Sequence, residues 1–121
     1  MMTATRRLEV ETVGKVTVAS IRDERIVNDD VIQELGREFG GLVAERGRPH
    51  IVVNFGRVKA LSAAAFSALL YLRKRVEATR GQLRICCVHP ELMEVFHLHR
   101  ARKSPPLFQI FDEEQGALDS F

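Results

Sequence analysis

The sequence predicts one α/β domain built on a mixed, mostly parallel sheet of about five strands with four helices, in the order ββαβαβαβα. Three observations carry this. Short apolar runs rich in β-branched residues, at 15–21, 51–55 and 83–88, are too short for helices and have the make-up of strands. Longer segments between them repeat apolar residues at spacings of three and four, the stripe of an amphipathic helix. Strands that alternate with helices through right-handed crossovers pair in parallel, with the helices laid over the sheet.

Residues 7–13 alternate loosely, Gly14 interrupts them, and 15–21 resume with Val16 and Val18, which predicts a β-hairpin. Asn28, Asp29 and Asp30 supply helix-start chemistry, because their side-chain oxygens accept from the unpaired first amides and their charge suits the positive helix end. Val31, Ile32, Leu35, Phe39, Leu42 and Val43 follow at helical spacing, and the helix is predicted to stop near Gly47. The run from His50 through Phe55 reads as a strand buried on both faces, placed at the sheet centre beside the strand at 83–88.

Residues 56–61 are predicted as a loop, Ser62 as an N-cap, and 63–78 as a helix carrying Phe66, Leu69, Leu70 and Val76, ended by Gly81. His89 and Pro90 read as the cap and first position of a short helix, with Leu92, Val95, Phe96 and Leu98 inward. A basic, proline-containing connection at 100–106 leads to a last strand at 108–111. Asp112, Glu113 and Glu114 then open a closing helix with Ala117, Leu118 and Phe121. With no repeat, low-complexity stretch or long linker, residues 1–121 read as a single domain, residues 1–6 being a flexible leading segment.

Charge narrows the function classes. Lys and Arg exceed Asp and Glu by only 18 to 16, so no strong field steers the chain toward nucleic acid or an anionic surface. A nucleic-acid binder shows a basic stripe with interleaved aromatics, whereas this chain has no Trp and one Tyr, so no direct nucleic-acid contact is expected. Nothing approaches the roughly 18 apolar residues of a membrane span, and the first residues lack a secretory h-region; a cytoplasmic location without membrane insertion is expected. Cys86 and Cys87 are adjacent, unlike the spacing of a redox or zinc site, and read as small strand residues pointing to opposite faces, one buried.

The stretch from Ile51 to Leu70, with Asn54-Phe55-Gly56 ending a strand and Ser62-Ala63-Ala64-Ala65 entering an apolar helix, resembles the central segment of STAS domains, the bacterial anti-sigma factor antagonists. Gly81-Gln82-Leu83-Arg84-Ile85 resembles that family's next strand, and Phe108-Gln109-Ile110-Phe111 with Ala117-Leu118 its last strand and helix. The resemblance implies a STAS fold from about Leu8 to Phe121 and a non-catalytic role in signal transduction and transcription regulation. Its implied partner is an anti-sigma factor or related switch protein. In the family a serine of an Asp-Ser-Ser-Gly motif is phosphorylated to release the partner. The matching position here is Ala64, with Ser62, Ala63 and Ala65 replacing the motif's other residues, so that modification is chemically impossible at its usual place.

Read in their own right, the same residues make a docking site. A helix starting after Ser62 offers unpaired backbone N–H groups and partial positive charge to an anion or a partner's carboxylate. Arg57 and Lys59 lie in the preceding loop, and Ala63 and Ala64 let another surface approach the backbone. The partner-binding set is therefore Arg57, Lys59, Ser62, Ala63, Ala64 and Ser67, with Ser62, and after it Ser67, as the remaining hydroxyls for phosphorylation. The plainer alternative is that the alanines are helix formers and Ser62 only a cap.

Other constellations point away from chemistry. His97 and His99 stand two apart on a helix, roughly 200° around it, unlike metal-binding pairs at i and i+4, so neither metal nor cofactor is expected. Neither a nucleophile elbow nor a glycine-rich phosphate loop occurs. The basic run from His97 to Lys103 and the run Arg73-Lys74-Arg75 read most simply as solvated faces. Two other functions remain open: an accessory STAS subunit of a membrane lipid-type ABC transport complex, and a sensor holding an anionic ligand at the Ser62 helix start. An exposed sheet edge also leaves a homodimer open.

Overall fold

The computed structural model describes residues 7–45, 47, 49–100 and 108–121, without the side chains of 97–100. The expected leading segment at 1–6, residues 101–106 of the expected connection at 100–106, and the side chains of His97, Leu98 and His99 fall outside the described set. A five-stranded sheet runs in the order β1-β2-β4-β6-β7. The hairpin of β1 (Leu8–Val13) and β2 (Val16–Ile21) is antiparallel, and β4 (His50–Asn54), β6 (Gln82–Cys86) and β7 (Gln109–Phe111) continue it in parallel. Gly14 takes φ +62° between the paired Val13 and Val16, the left-handed position at which a two-residue hairpin turn favours glycine.

The central strand β4 pairs Ile51 with Leu83 and Val53 with Ile85, as the sequence predicts. Strand alternation divides the core in two. Ala19, Ile21, Ile51, Val53, Leu83 and Ile85 point to one face, where three helices cover them: α1 (Asp29–Glu45), α2 (Ala63–Ala78) and α3 (Pro90–Arg100). Val16, Val18, Val52 and Cys86 point to the other, where α4 (Glu114–Asp119) seats Ala117 on them. The predicted periodicities are largely realised: α1 buries Leu35, Phe39, Leu42 and Val43, with Val31 and Ile32 half-buried, and α2 buries Phe66, Leu69 and Val76 as predicted, but Leu72 takes the buried position while the predicted Leu70 is half-buried. At the start of α1 the Asp30 amide donates to Asn28 Oδ1 at 2.9 Å, the predicted start chemistry.

The structure departs from the predicted order at three places. Residues 56–61 are not all loop. Ala60–Leu61 forms β5, which pairs in parallel with β3 (Arg25–Ile26) in a separate two-stranded sheet. Second, Gly81 does not supply the left-handed stop of α2. Arg80 does, at φ +64°, with its amide on the Glu77 carbonyl and the Gly81 amide on the Val76 carbonyl, a Schellman ending. Glycine is required at 81 for space instead, since a Cβ there would stand 2.0 Å from the Pro49 carbonyl oxygen. Third, β6 ends at Cys86. Cys87 takes φ +64°, so it leaves the strand rather than alternating across it.

Candidate functional site

The predicted docking residues gather where β4 ends and α2 begins, on a turn that the backbone holds firmly. Asn54 closes β4 with an Asx turn: its Oδ1 accepts the Gly56 amide at 2.7 Å, and its Nδ2 donates to Glu114 Oε1 at 2.8 Å. The Val58 amide donates to the Phe55 carbonyl, and the fully buried Val58 side chain plugs the turn into the core. The amides of Lys59 and Ala60 donate to the Glu24 carbonyl, and that of Ser62 to the Ile26 carbonyl. His89 adds a clamp, since its Nε2 lies 2.9 Å from the Gly56 carbonyl, which can only accept. A rigid turn of this kind positions its exposed atoms with little ordering left to do on binding.

At the helix start, Ser62 is an N-cap in fact: with extended backbone, its Oγ accepts the Ala65 amide at 3.1 Å and its carbonyl accepts the Phe66 amide. The amides of Ala63 and Ala64 are left without an acceptor among the described residues, and no acidic side chain occupies the first turn. Positive helix-end potential is therefore uncompensated by any of the described residues. Ala63, Ala64 and Ser67 are exposed, and Lys59 extends into solvent with no side-chain partner among the described residues.

Replacing Ser62 by alanine is expected to cost about 1 kcal/mol through loss of the cap. Thermal unfolding checks this as a fall of a few degrees in Tm.

Arg57 stands apart from this group. Its guanidinium turns to Glu9 on β1, 3.2 Å away, with both side chains about half exposed, so it belongs to the rim rather than to the helix start. Spacing along the chain could not show this, because the partner lies 48 positions away (57 − 9).

Sequence reasoning also missed the polar work on the α4 face of the sheet. Arg84 is buried, its Nε donating to Ser120 Oγ at 3.0 Å and its guanidinium lying 4.7 Å from the Phe121 ring centre; burial lowers its pKa. Burial likewise pushes the Cys86 thiol up, helped by its neighbour Cys87, so the buried member of the pair is an unreactive thiol. Among the described residues no group of His, Cys, Asp and Glu is arranged to hold a metal, and no helix is long and apolar enough to cross a membrane.

Comparison with known proteins gives a consistent result. The family model of the STAS domain matches residues 8–117. BtrV of Bordetella bronchiseptica, named as an anti-sigma factor antagonist, is 24% identical over 92 residues, which is 76% of this chain and 77% of that protein. Among solved structures, an anti-sigma-factor antagonist (STAS) domain protein from Planctomyces limnophilus superposes with a TM-score of 0.78 at 17% identity, covering 93% of this chain and 96% of that one. The Bacillus protein SpoIIAA in its phosphorylated form gives 0.69 at 16% identity, with 93% and 97% covered. At these identities the superpositions establish the fold.

Proposed function

The chain belongs to the STAS domain family, and on that premise we propose that it is a regulatory protein–protein interaction module of the anti-sigma-factor-antagonist kind. Its partner is an anti-sigma factor or related switch protein, which docks on the turn at 56–61 and the first turn of α2. It acts in the cytoplasm by binding and not by catalysis.

The observation that carries this proposal is the helix start itself. Ala63 and Ala64 present small exposed side chains over two amides that lack acceptors among the described residues, next to the free Lys59 ammonium. That surface suits a carboxylate or carbonyl edge of a partner. By the family resemblance Ala64 stands where a serine would be phosphorylated, so docking here is constitutive or is controlled from the partner's side. Ser62 is a poor substitute acceptor, because its hydroxyl already serves the cap.

Affinity capture of the tagged protein from its native cells tests the proposal. Recovery of a histidine-kinase-like anti-sigma protein is the expected outcome. Recovery of a membrane transport ATPase in its place would overturn it and install the accessory-subunit role.

A further inference from the structure

We propose that the groove between α1 and α2 is a binding pocket for a small amphipathic anion, an apolar chain ending in a carboxylate, adjoining the docking surface at Leu61 and Ala65. The groove is a half-open cleft with a volume of about 380 Å³, within the range of small-ligand sites. Its walls include Ile21, Ile26, Phe39 and Leu69, while Gly36 on α1 and Ala68 on α2 contribute almost no volume. A Cβ on Gly36 would meet nothing within 4 Å, so the space there is open rather than filled by a neighbour.

The charge at this groove is one-sided. Arg37 and Arg75 both line it, and neither has a carboxylate partner among the described residues. Arg75 reaches across from α2 to α1, where a Cβ on Gly40 would lie 2.9 Å from its Nη1, and its guanidinium carbon stands 5.9 Å from the Tyr71 ring centre. Two carboxylates in the middle of α1 are engaged elsewhere than at the groove. Glu34 binds Arg7 Nε at 2.6 Å, and Glu38 accepts the amides of Arg7 and Leu8. Arg75 is thus no mere part of a solvated basic face; two guanidinium groups beside an apolar cavity match a ligand with an anionic head and an apolar body.

The chain has one tyrosine and no tryptophan, so its intrinsic fluorescence comes from Tyr71 alone, at the wall of the cavity. Titration of the whole protein with decanoate, decanol and an acidic amphipathic helical peptide, followed by this signal, is the test. Decanoate is expected to saturate the Tyr71 response at sub-millimolar concentration and to bind about tenfold more tightly than decanol. The pair Arg37→Gln and Arg75→Gln is expected to remove that preference. Gly36→Leu, which fills the open space with a better helix former, is expected to abolish both responses while leaving Tm unchanged or raised. Equal affinities for decanoate and decanol, no saturable response to either, or a response only to the peptide would each overturn the proposal.

Discussion

Replacing Phe96 by alanine is expected to remove about 3–5 kcal/mol of stability, a large part of the roughly 5–15 kcal/mol typical of a whole domain. Phe96 is 2% exposed and sits edge-on to three other rings: Phe66 at 5.3 Å, Phe55 at 5.9 Å and Phe108 at 5.9 Å between centroids. Those rings come from the end of β4, the first turn of α2, α3 itself and the approach to β7, so one deletion loosens four elements. The cost combines lost burial, lost ring contacts and a cavity that the sheet behind it cannot close. A urea titration reads it as a lower midpoint with the slope unchanged. A loss below about 1 kcal/mol would mean that α3 does not pack on the sheet as described. Because Phe66 belongs to the first turn of α2, the same variant is expected to weaken partner binding through loss of rigidity.

Substituting Ala64 by aspartate should act on stability and on binding with opposite signs. Position 64 is the second residue of α2, where a carboxylate meets the positive helix end and stabilises the free domain by about 0.3–1 kcal/mol. In the complex the same carboxylate fills the small exposed site, neutralises the helix-end potential and opposes an acidic partner edge. The expected loss of affinity is 2 kcal/mol or more, about thirtyfold. Ala64→Ser, which restores a hydroxyl without charge, is expected to bind as the parent does. Calorimetry on the captured partner, with Tm measured on the same samples, separates the two signs. Weaker binding together with a lower Tm would instead indicate damage to the helix.

Much of this was legible in the sequence because it lay in local chemistry. Asn28 and Ser62 act at the helix starts where their residue types belong, and the apolar spacings on α1 and α2 select most of the buried residues, missing Leu72 and overstating Leu70. The run at 51–55 reads as a central strand since Ile51, Val52 and Val53 are all apolar, and each is fully buried. What stayed hidden was non-local or too short to have a period. Strands β3 and β5 hold two residues each, so no alternation can reveal them. Arg80 and Cys87 take left-handed backbone that their types rarely adopt; the Schellman bonds at the end of α2 hold the first, and the long-range bond of the Cys87 amide to the Phe111 carbonyl holds the second. Proximity along the chain groups Arg57 with the helix start, yet its ion pair with Glu9 turns it to the rim. Nor does any spacing rule show that Arg75 lies over Gly40, since that contact depends on how α1 and α2 meet.

A protein partner docked on the turn at 56–61 and the first turn of α2 shields the amides there from exchange with solvent. Amide hydrogen exchange of the full chain, with and without the captured partner, tests it most directly. Added protection is expected at residues 56–67, with the amides of Ala63 and Ala64 among the most slowed, and little change along the sheet edge at β1. Protection confined to the outer faces of α1 and α2, or to β1, with residues 56–67 exchanging as in the free chain, would contradict it.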